Sequence, residues 1–477
     1  MTINNKNVGK KIIKSDKEEL VAGKAVVKQK KVVTPQLVRG MHDVLPADWL
    51  YWNYIIEQIN AQALSYGYNR LETPVLEKTS LFTRAIGTTT DIVEKEMYSF
   101  TDQSTDHLTL RPEYTAGLAR AYIEHGLLNW PQPVKLYALG PIFRHERPQA
   151  GRYRSFWQID YEILGDPSAM ADSQIILTAW SLCQSLKLPV TVQINSVGCP
   201  ECRVDYRQAL LDYYKTKKSD LCEDCKKRLQ RNPLRLLDCK EPACKELAKN
   251  APQLVDSLCQ GCRQHFVTVL EYLDGVELTY QLNPYLVRGL DYYTRTVFEI
   301  WSQDDDGQTA LAAGGRYDNL IADLGGQPTP AVGFAAGVER LVNEMKKRQV
   351  PLLPAPTPDV FLACLGGEAK KMALKLFEDL KNQGVRVGEN FAKDGLKSQL
   401  ESANRLGVKY TLVLGQKEMM DGTVIVRDME NGIQETVDFK KIVNEVKKRL
   451  VAYRAEVLLI KDQADKLAEP EVNPDNK

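Results

Sequence analysis

The chain has 477 residues, 43% hydrophobic and 26% charged, enough for roughly three domains of about 150 residues with sizeable cores. Lys+Arg of 63 against Asp+Glu of 62 leaves a net charge of +1, which excludes a global polyelectrolyte character, so any nucleic-acid surface must be local. No apolar run approaches the ~20 residues needed to span a bilayer, and the N-terminus lacks the apolar stretch of a secretory signal, so a cytoplasmic protein is expected.

Residues 1–33 hold nine Lys against three Asp+Glu and no Arg. They read as a disordered basic arm, either a solvated tail or a weak electrostatic attractant for RNA phosphates. From Pro46 a helix is expected to run to about Tyr66 and close at Gly67, with Ile55, Ile56, Ile59 and Ala63 as its apolar stripe. Arg70 to Leu76 reads as a strand demoted to an edge or a subunit contact by Pro74. Leu108 to Thr115 is a strand running into Arg111-Pro112-Glu113, and Ala116 to His125 is helical.

Lys135 to Phe143 is a strand, Pro148 and Gly151 break a basic loop, and from Arg154 the side chains alternate with period two. Trp157, Ile159, Tyr161 and Ile163 fall on one face; Phe156, Gln158, Asp160 and Glu162 fall on the other. The second face is either the solvated side of a half-buried strand or, beside Arg144, Arg147, Arg152 and Arg154, a pocket for a cation next to a polyanion.

Cys183 and Cys364 stand alone, whereas eight of the ten cysteines lie between Cys199 and Cys262. They form CxxC at Cys199/Cys202, Cys222/Cys225 and Cys259/Cys262, with Cys239 and Cys244 between. In a reducing compartment such pairs bind metal more often than they form disulfides, and eight thiolates can close two four-cysteine Zn²⁺ sites of structural type. The first two pairs have zinc-ribbon spacing, but which pairs share an ion is open. Reduced structural cysteines are the alternative.

After this module, strands are expected over Gly275 to Leu282 and Thr294 to Trp301, bracketing Leu286-Val287-Arg288-Gly289-Leu290-Asp291-Tyr292-Tyr293. Ala312 to Asp318 (AAGGRYD) and Ala331 to Leu341 follow, the latter a Gly-rich strand entering a helix with Glu339 and Arg340 in its first turn. Four prolines in residues 349–358 mark a linker. Beyond it, strands and helices alternate from Val360 to Leu414, a hairpin turns at Asn431-Gly432, and a last helix ends before a polar tail.

From about Gln36 to Arg454 these residues resemble histidyl-tRNA synthetase, a class II aminoacyl-tRNA synthetase. Arg70 to Leu76 is similar to the class motif 1, the Gly140 to Gly165 hairpin to motif 2, and Gly333 to Leu341 to motif 3. Leu286 to Glu299 (LVRGLDYYTRTVFE) and Ala313 to Asp318 (AGGRYD) resemble the family's own histidine signatures. The implied fold class is α+β: a class II antiparallel-sheet catalytic domain with a Cys-rich helical insertion, plus a C-terminal α/β anticodon-binding domain. The corresponding division is a basic arm 1–33, catalytic segments 34–195 and 267–348, the insertion 196–266, a linker 349–358, the anticodon-binding domain 359–454 and a polar tail 455–477.

The resemblance implies ATP-dependent activation of histidine and transfer to tRNA(His) by a homodimer, with Mg²⁺ on the β- and γ-phosphates. It assigns Arg144 and Arg288 to the α-phosphate, Arg288 being the family's catalytic arginine. Glu146 takes the adenine amino group, and Phe156 and Arg340 sandwich its ring. Histidine is implied to meet Glu113, Tyr114, Thr115, Gln158, Asp160, Glu162, Tyr292 and Tyr293 together with Arg144 and Arg288. Tyr114 departs from the glycine that often continues the Arg-Pro-Glu motif. The insertion is implied to touch the tRNA acceptor arm, with Gln149 and Arg152 meeting the extra 5′ guanosine. The alternatives are a synthetase-like regulatory subunit of ATP phosphoribosyltransferase and a class II synthetase for another amino acid. The first fits poorly with an anticodon-type domain and with Arg144, Glu146, Arg288 and Arg340 all in place.

Overall fold

The computed structural model describes residues 34–88, 90–146, 151–303, 310–352 and 357–468, with side chains to 455. The basic arm and the centre of the proline-rich segment lie outside these residues. The chain divides into two compact units, one ending at Val350 and the other starting at Pro351. Among the described residues no helix is long and apolar enough to cross a membrane.

The first unit carries strands β1 (Asn69–Arg70), β2 (Leu76–Lys78), β3 (Tyr98–Thr101), β4 (His107–Leu110), β5 (Val134–Phe143), β6 (Ser155–Leu164), β7 (Val190–Ser196), β8 (Tyr280–Leu282), β9 (Thr294–Ser302), β10 (Ala310–Arg316) and β11 (Ala331–Gly337). Eight of them form one sheet in the order β1-β5-β6-β11-β10-β9-β7-β8, and β2-β4-β3 form a small second sheet. The large sheet is antiparallel except where β1 joins β5 and β8 joins β7. The β5–β6 hairpin pairs without slippage from Val134↔Leu164 to Phe143↔Ser155.

The alternation expected along β6 is present, but both faces are buried: Ile159, Tyr161 and Ile163 on one side, Gln158, Asp160 and Glu162 on the other. The first face packs on the helix Trp49–Tyr66, where the Tyr161 hydroxyl donates to the Ile59 carbonyl at 3.0 Å. That helix starts at Trp49 rather than Pro46, buries Ile55, Ile59 and Ala63, and closes on Gly67 in the left-handed region at φ 74°. Ile56 of the expected stripe is only half-buried.

The stretch Arg70 to Leu76 is not one strand. It leaves the edge of the large sheet at β1 and enters the small sheet at β2, with Pro74 between them. The turn is pinned by the buried Arg111, which donates to the Glu72 carboxylate at 2.8 Å and to the Thr73 carbonyl at 2.5 Å.

The Cys-rich module consists of helices Pro200–Lys215, Glu223–Arg231, Pro242–Ala248 and Gln260–Gly275, joined by short 3₁₀ turns. The last helix runs nine residues past Phe266, because Phe266, Val269 and Leu273 continue a buried helical stripe. The strand expected from Gly275 shrinks accordingly to β8.

One buried ionic cluster joins that helix to the sheet. On the helix Ala169–Ser185, Asp172 receives Arg316 of β10 through Nη2 at 2.5 Å and Nε at 3.0 Å, and His265 lies 3.2 Å away. Arg316 also donates to Asp318 at 3.0 Å and to the Asp166 and Ser168 carbonyls. Burial alone lifts the Asp172 carboxyl, but the hydrogen bond to His265 and the Arg316 charge outweigh it and hold it below the usual range.

The second unit has strands β12 (Val360–Cys364), β13 (Val387–Glu389), β14 (Tyr410–Leu414), β15 (Thr423–Asp428) and β16 (Gln434–Asp438) in the order β13-β12-β14-β15-β16. Helices Gly367–Asn382 and Leu396–Arg405 cross between parallel strands, as expected of the alternation. Gly432 turns the β15–β16 hairpin at φ 74°. A short helix, Gln416–Asp421, was not expected, and the last helix, Ile442–Ala468, continues through most of the segment read as a tail from residue 455.

Arg316→Ala leaves Asp172 buried with only His265 beside it, so the first unit is expected to lose about 3–5 kcal/mol. Urea unfolding followed by tryptophan fluorescence measures the loss; a change below about 1 kcal/mol would remove the cluster from the structural core.

Candidate active site

A cleft of about 880 Å³ opens in the first unit over the polar face of β6, and strands β6, β9, β10 and β11, the Leu286–Tyr293 turn and the Cys-rich module all line it. Its floor comes from Phe156, Gln158 and Asp160, spaced two apart as the strand period requires. Gln158 donates from Nε2 to both Asp160 oxygens at 2.9 Å. Glu113 enters from the turn before the helix Thr115–Glu124, where its carboxylate accepts the Ala116 N–H at 2.8 Å.

Glu162 sits one step deeper and accepts from Thr115 Oγ1 at 2.8 Å and from the Tyr317 hydroxyl. It fits there because residue 333 has no side chain: a Cβ on Gly333 would stand 1.4 Å from Glu162 Oε2.

These three carboxyl groups are almost fully buried, and among the described residues none forms an ion pair with a lysine or arginine. Burial raises Glu113; burial and then the neighbouring Glu162 charge raise Asp160 well above its usual range. Burial pushes Glu162 up to about 8, against the opposing hydrogen bonds from Tyr317 and Thr115.

The opposite end of the cleft is cationic. Arg144 is steered by a bond from Nε to the Pro112 carbonyl at 2.7 Å, with its guanidinium 5.8 Å from the Phe156 ring. Arg152 lies 3.4 Å from Glu146. Arg340, in the first turn of the helix Val338–Lys347, donates to the Ala310 carbonyl at 2.9 Å. Beside it Glu339 takes the Trp157 N–H on both oxygens at 3.0 Å, and burial pushes its carboxyl up to about 7. From the Leu286–Tyr293 turn, Arg288 reaches Glu299 of β9 at 2.5 Å, and Trp301 Nε1 holds the other Glu299 oxygen at 2.8 Å. Tyr292 and Tyr293 stand buried against each other, with Tyr292 packed on Tyr317.

Of the residues expected at the site, Glu113, Thr115, Arg144, Glu146, Arg152, Phe156, Gln158, Asp160, Arg288, Tyr292, Tyr293 and Arg340 line this one cleft. Tyr114 does not join them. Its ring is buried under the Arg111 guanidinium at 4.0 Å and its hydroxyl donates to Glu72 at 3.0 Å, among Leu118, Ala138 and Ile142. A helix beginning at Thr115 turns residue 114 away from its neighbours, which accounts for the departure. Gln149 lies outside the described residues. Glu299, Tyr317 and Glu339 take part without having been assigned a role from sequence, although all three fall inside the quoted signature stretches.

The cysteines gather into two groups, Cys199/Cys202/Cys259/Cys262 and Cys222/Cys225/Cys239/Cys244, each with its sulfur atoms within 4.8 Å of one another. Tetrahedral zinc thiolate geometry needs sulfur separations of about 3.8 Å, so both sets fit the ion. The partners differ from the zinc-ribbon spacing: the first CxxC joins the last, and the second joins Cys239 and Cys244. Backbone N–H groups point at the sulfurs, from Cys259 to Cys202 at 3.1 Å and from Cys222 to Cys244 at 3.3 Å.

A family model described as histidyl-tRNA synthetase matches residues 40–341, and one described as an anticodon binding domain matches residues 359–449. A protein named histidine–tRNA ligase from Dehalococcoides mccartyi is 44% identical over 416 residues, 87% of this chain and 100% of its own length. One of the same name from Syntrophotalea carbinolica is 46% identical over 406 residues, covering 85% and 96%. The solved structure of apo S. aureus histidyl-tRNA synthetase is similar with a TM-score of 0.72 at 33% identity, over 87% of this chain and 100% of that one. An ATP phosphoribosyltransferase regulatory subunit/histidyl-tRNA synthetase from Bacillus halodurans shares the fold, with a TM-score of 0.59 at 22% identity. Matched along nearly all of its described length, and carrying the motif residues in one cleft, this chain belongs to the histidyl-tRNA synthetase family.

Proposed function

We propose that the chain condenses histidine with ATP to histidyl-adenylate and then transfers the histidyl group to the 3′ end of tRNA(His), releasing diphosphate and AMP. The observation that carries this reading is the make-up of the cleft, with buried carboxyl groups that have no ion-pair partner among the described residues, beside a set of arginines. The substrate's ammonium and imidazole N–H bring positive charge and further donors to Glu113, Gln158, Asp160 and Glu162. Its carboxylate is thereby turned toward the α-phosphate.

Attack forms the carboxyl–phosphate bond and breaks the bond to the β-phosphate, so no protein nucleophile is needed. Arg144 and Arg288 stabilise the charge that develops on the α-phosphate, and Glu146, Phe156 and Arg340 hold the adenine. Mg²⁺ bound with ATP offsets charge on the departing diphosphate. The arginine set favours this over a regulatory subunit.

The second unit is assigned to the anticodon, and Gln149 with Arg152 to the 5′ end of the tRNA. A cytoplasmic homodimer is the working assembly, with both cysteine sets holding structural zinc.

Histidine-dependent ATP/diphosphate exchange tests the assignment, and exchange with threonine or proline in its place would overturn it. Arg288→Ala is expected to reduce exchange by at least 10²- to 10³-fold, the usual cost of a lost transition-state donor. Near-normal exchange would take Arg288 out of the mechanism.

Glu162 gives a pH signature. A carboxyl raised to about 8 is protonated in the empty site at neutral pH, so its contribution to stability falls as pH rises from the ordinary carboxyl range toward 8. Binding of a donor releases that proton, so KM for histidine is expected to fall between pH 7 and about 8. Glu162→Gln should flatten the profile, and an unchanged slope would remove Glu162 as its source.

Purified without chelator, the protein is expected to sediment as a dimer with about two zinc ions per chain by elemental analysis. A monomer would refute the assembly. Less than a tenth of an ion per chain, against the four ligands each site offers, would refute the metal.

A further inference from the structure

We infer that the cluster Cys222/Cys225/Cys239/Cys244 is a positioning device for the histidine-reading turn, so that the ion at this site supports catalysis while the other site staples the module's neck. This rests on the reading of both sets as zinc sites.

The chain between Cys225 and Cys239 forms an arm, made of the helix Glu223–Arg231 and the turn Pro233–Leu236, with a cysteine pair at each end of its base. Its polar side chains reach out of the module and grip two pieces of the catalytic domain. Arg235 donates from Nη1 to the Gly289 carbonyl at 2.7 Å and from Nη2 to Asp91 at 3.0 Å. Arg228 joins it on the same Asp91 oxygen at 3.1 Å, Arg231 holds Glu94 at 2.6 Å, and Asn232 donates to Asp291 at 3.0 Å.

Gly289 and Asp291 belong to the turn that carries Arg288 before them and Tyr292 and Tyr293 after them. On its far side Asp291 lies against Gly87, where a Cβ would come within 2.7 Å of its carboxylate. The turn is therefore held between the arm and the loop that follows the helix Thr79–Ile86.

The charges make the grip strong. Burial raises the Asp91 carboxyl, but Arg228 and Arg235 more than compensate and hold it below its usual range. Arg235 is itself largely enclosed, with its side chain 14% exposed. Two guanidinium groups on one carboxylate are geometrically demanding and depend on a fixed arm.

The neck cluster is placed differently. Its pairs open the first and last helices of the module, Pro200–Lys215 just after β7 and Gln260–Gly275 before the return to β8. Residues assigned to adenine, Glu146, Phe156 and Arg340, come from the hairpin and from the helix after β11, none of which the arm grips. Loosening the arm should therefore disturb histidine use and the chemical step while leaving ATP binding nearly unchanged.

The test compares Arg235→Ala, which leaves all eight cysteines in place, with Cys239→Ser, both against wild type in histidine-dependent exchange. Arg235→Ala is expected to keep its zinc, raise KM for histidine about tenfold, lower kcat about tenfold and leave KM for ATP within about twofold, as loss of positioning predicts. Arg235→Lys, which keeps the charge but not the fork, should recover part of the loss. Cys239→Ser should lose one ion and show the same pattern.

Wild-type kinetics in Arg235→Ala, or equal rises in KM for histidine and ATP, would overturn the positioning role even if Cys239→Ser fails to fold. Loss of an ion from Cys239→Ser with unchanged kinetics would overturn the coupling alone. Wild-type protein without zinc would overturn the metal reading beneath it.

Discussion

An unpaired carboxylate taken out of water costs several kcal/mol, and the first unit gathers Glu113, Asp160 and Glu162 beside a single cleft with no ion-pair partner for them among the described residues. Much of the neighbouring structure limits that cost. Thr115 and Tyr317 hold Glu162, the start of a helix holds Glu113, and Gln158 brackets Asp160 with its amide. Gly333 leaves the space that Glu162 occupies, and the fully buried Arg316, one residue before Tyr317, fixes β10 through Asp172. The remaining deficit is what a cationic substrate removes. On the proposed function, specificity would follow from carboxyl groups that are hydrogen-bonded but carry no ion-pair partner among the described residues, as in sites that reject analogues unable to satisfy them.

The two ends of the cleft are kept apart by the hairpin itself. Because β5 and β6 pair without a slip, residues 156, 158, 160 and 162 step along one face at a fixed spacing, from the end near Arg144 to the end near Tyr317. A one-residue shift would turn Trp157, Ile159 and Tyr161 into the cleft and the polar groups into the packing beneath the sheet. Buried both above and below, the strand has little freedom to make that shift.

Much of this was legible from sequence. The hairpin, the alternation along β6, the strand–helix alternation of the second unit and the signature turn all announce themselves by period, proline, glycine or motif. The parts that were not legible depend on long-range packing. The polar row of β6 suits a solvated face or a pocket by period alone, and the contacts of Tyr317 and Thr115 with Glu162 come from distant segments. Tyr114 shares a motif with Glu113 and Thr115 but turns inward at the helix start, toward Arg111. Cysteine spacing left the partners open, and only the fold-back of the module shows that its first pair meets its last. The helix from Gln260 outran its expected end because a helical stripe at Phe266, Val269 and Leu273 competes well with a short strand signal. Nothing local marked Arg235, whose partners lie 54 and 144 residues away.

The position of the neck cluster also bears on the order in which the molecule can assemble. Strands β7 and β9 pair directly, yet the whole Cys-rich module lies between them in the chain. Closing that loop is an entropic obstacle to completing the sheet, one that grows by about 0.6 kcal/mol for each doubling of loop length. Cys202 and Cys259, 57 residues apart, meet in the neck cluster through a backbone N–H to sulfur contact. A module that folds first and draws Cys199/Cys202 and Cys259/Cys262 together there would shorten that connection. The pairing of β7 with β9 would then cost less entropy once the segment that interrupts it has folded.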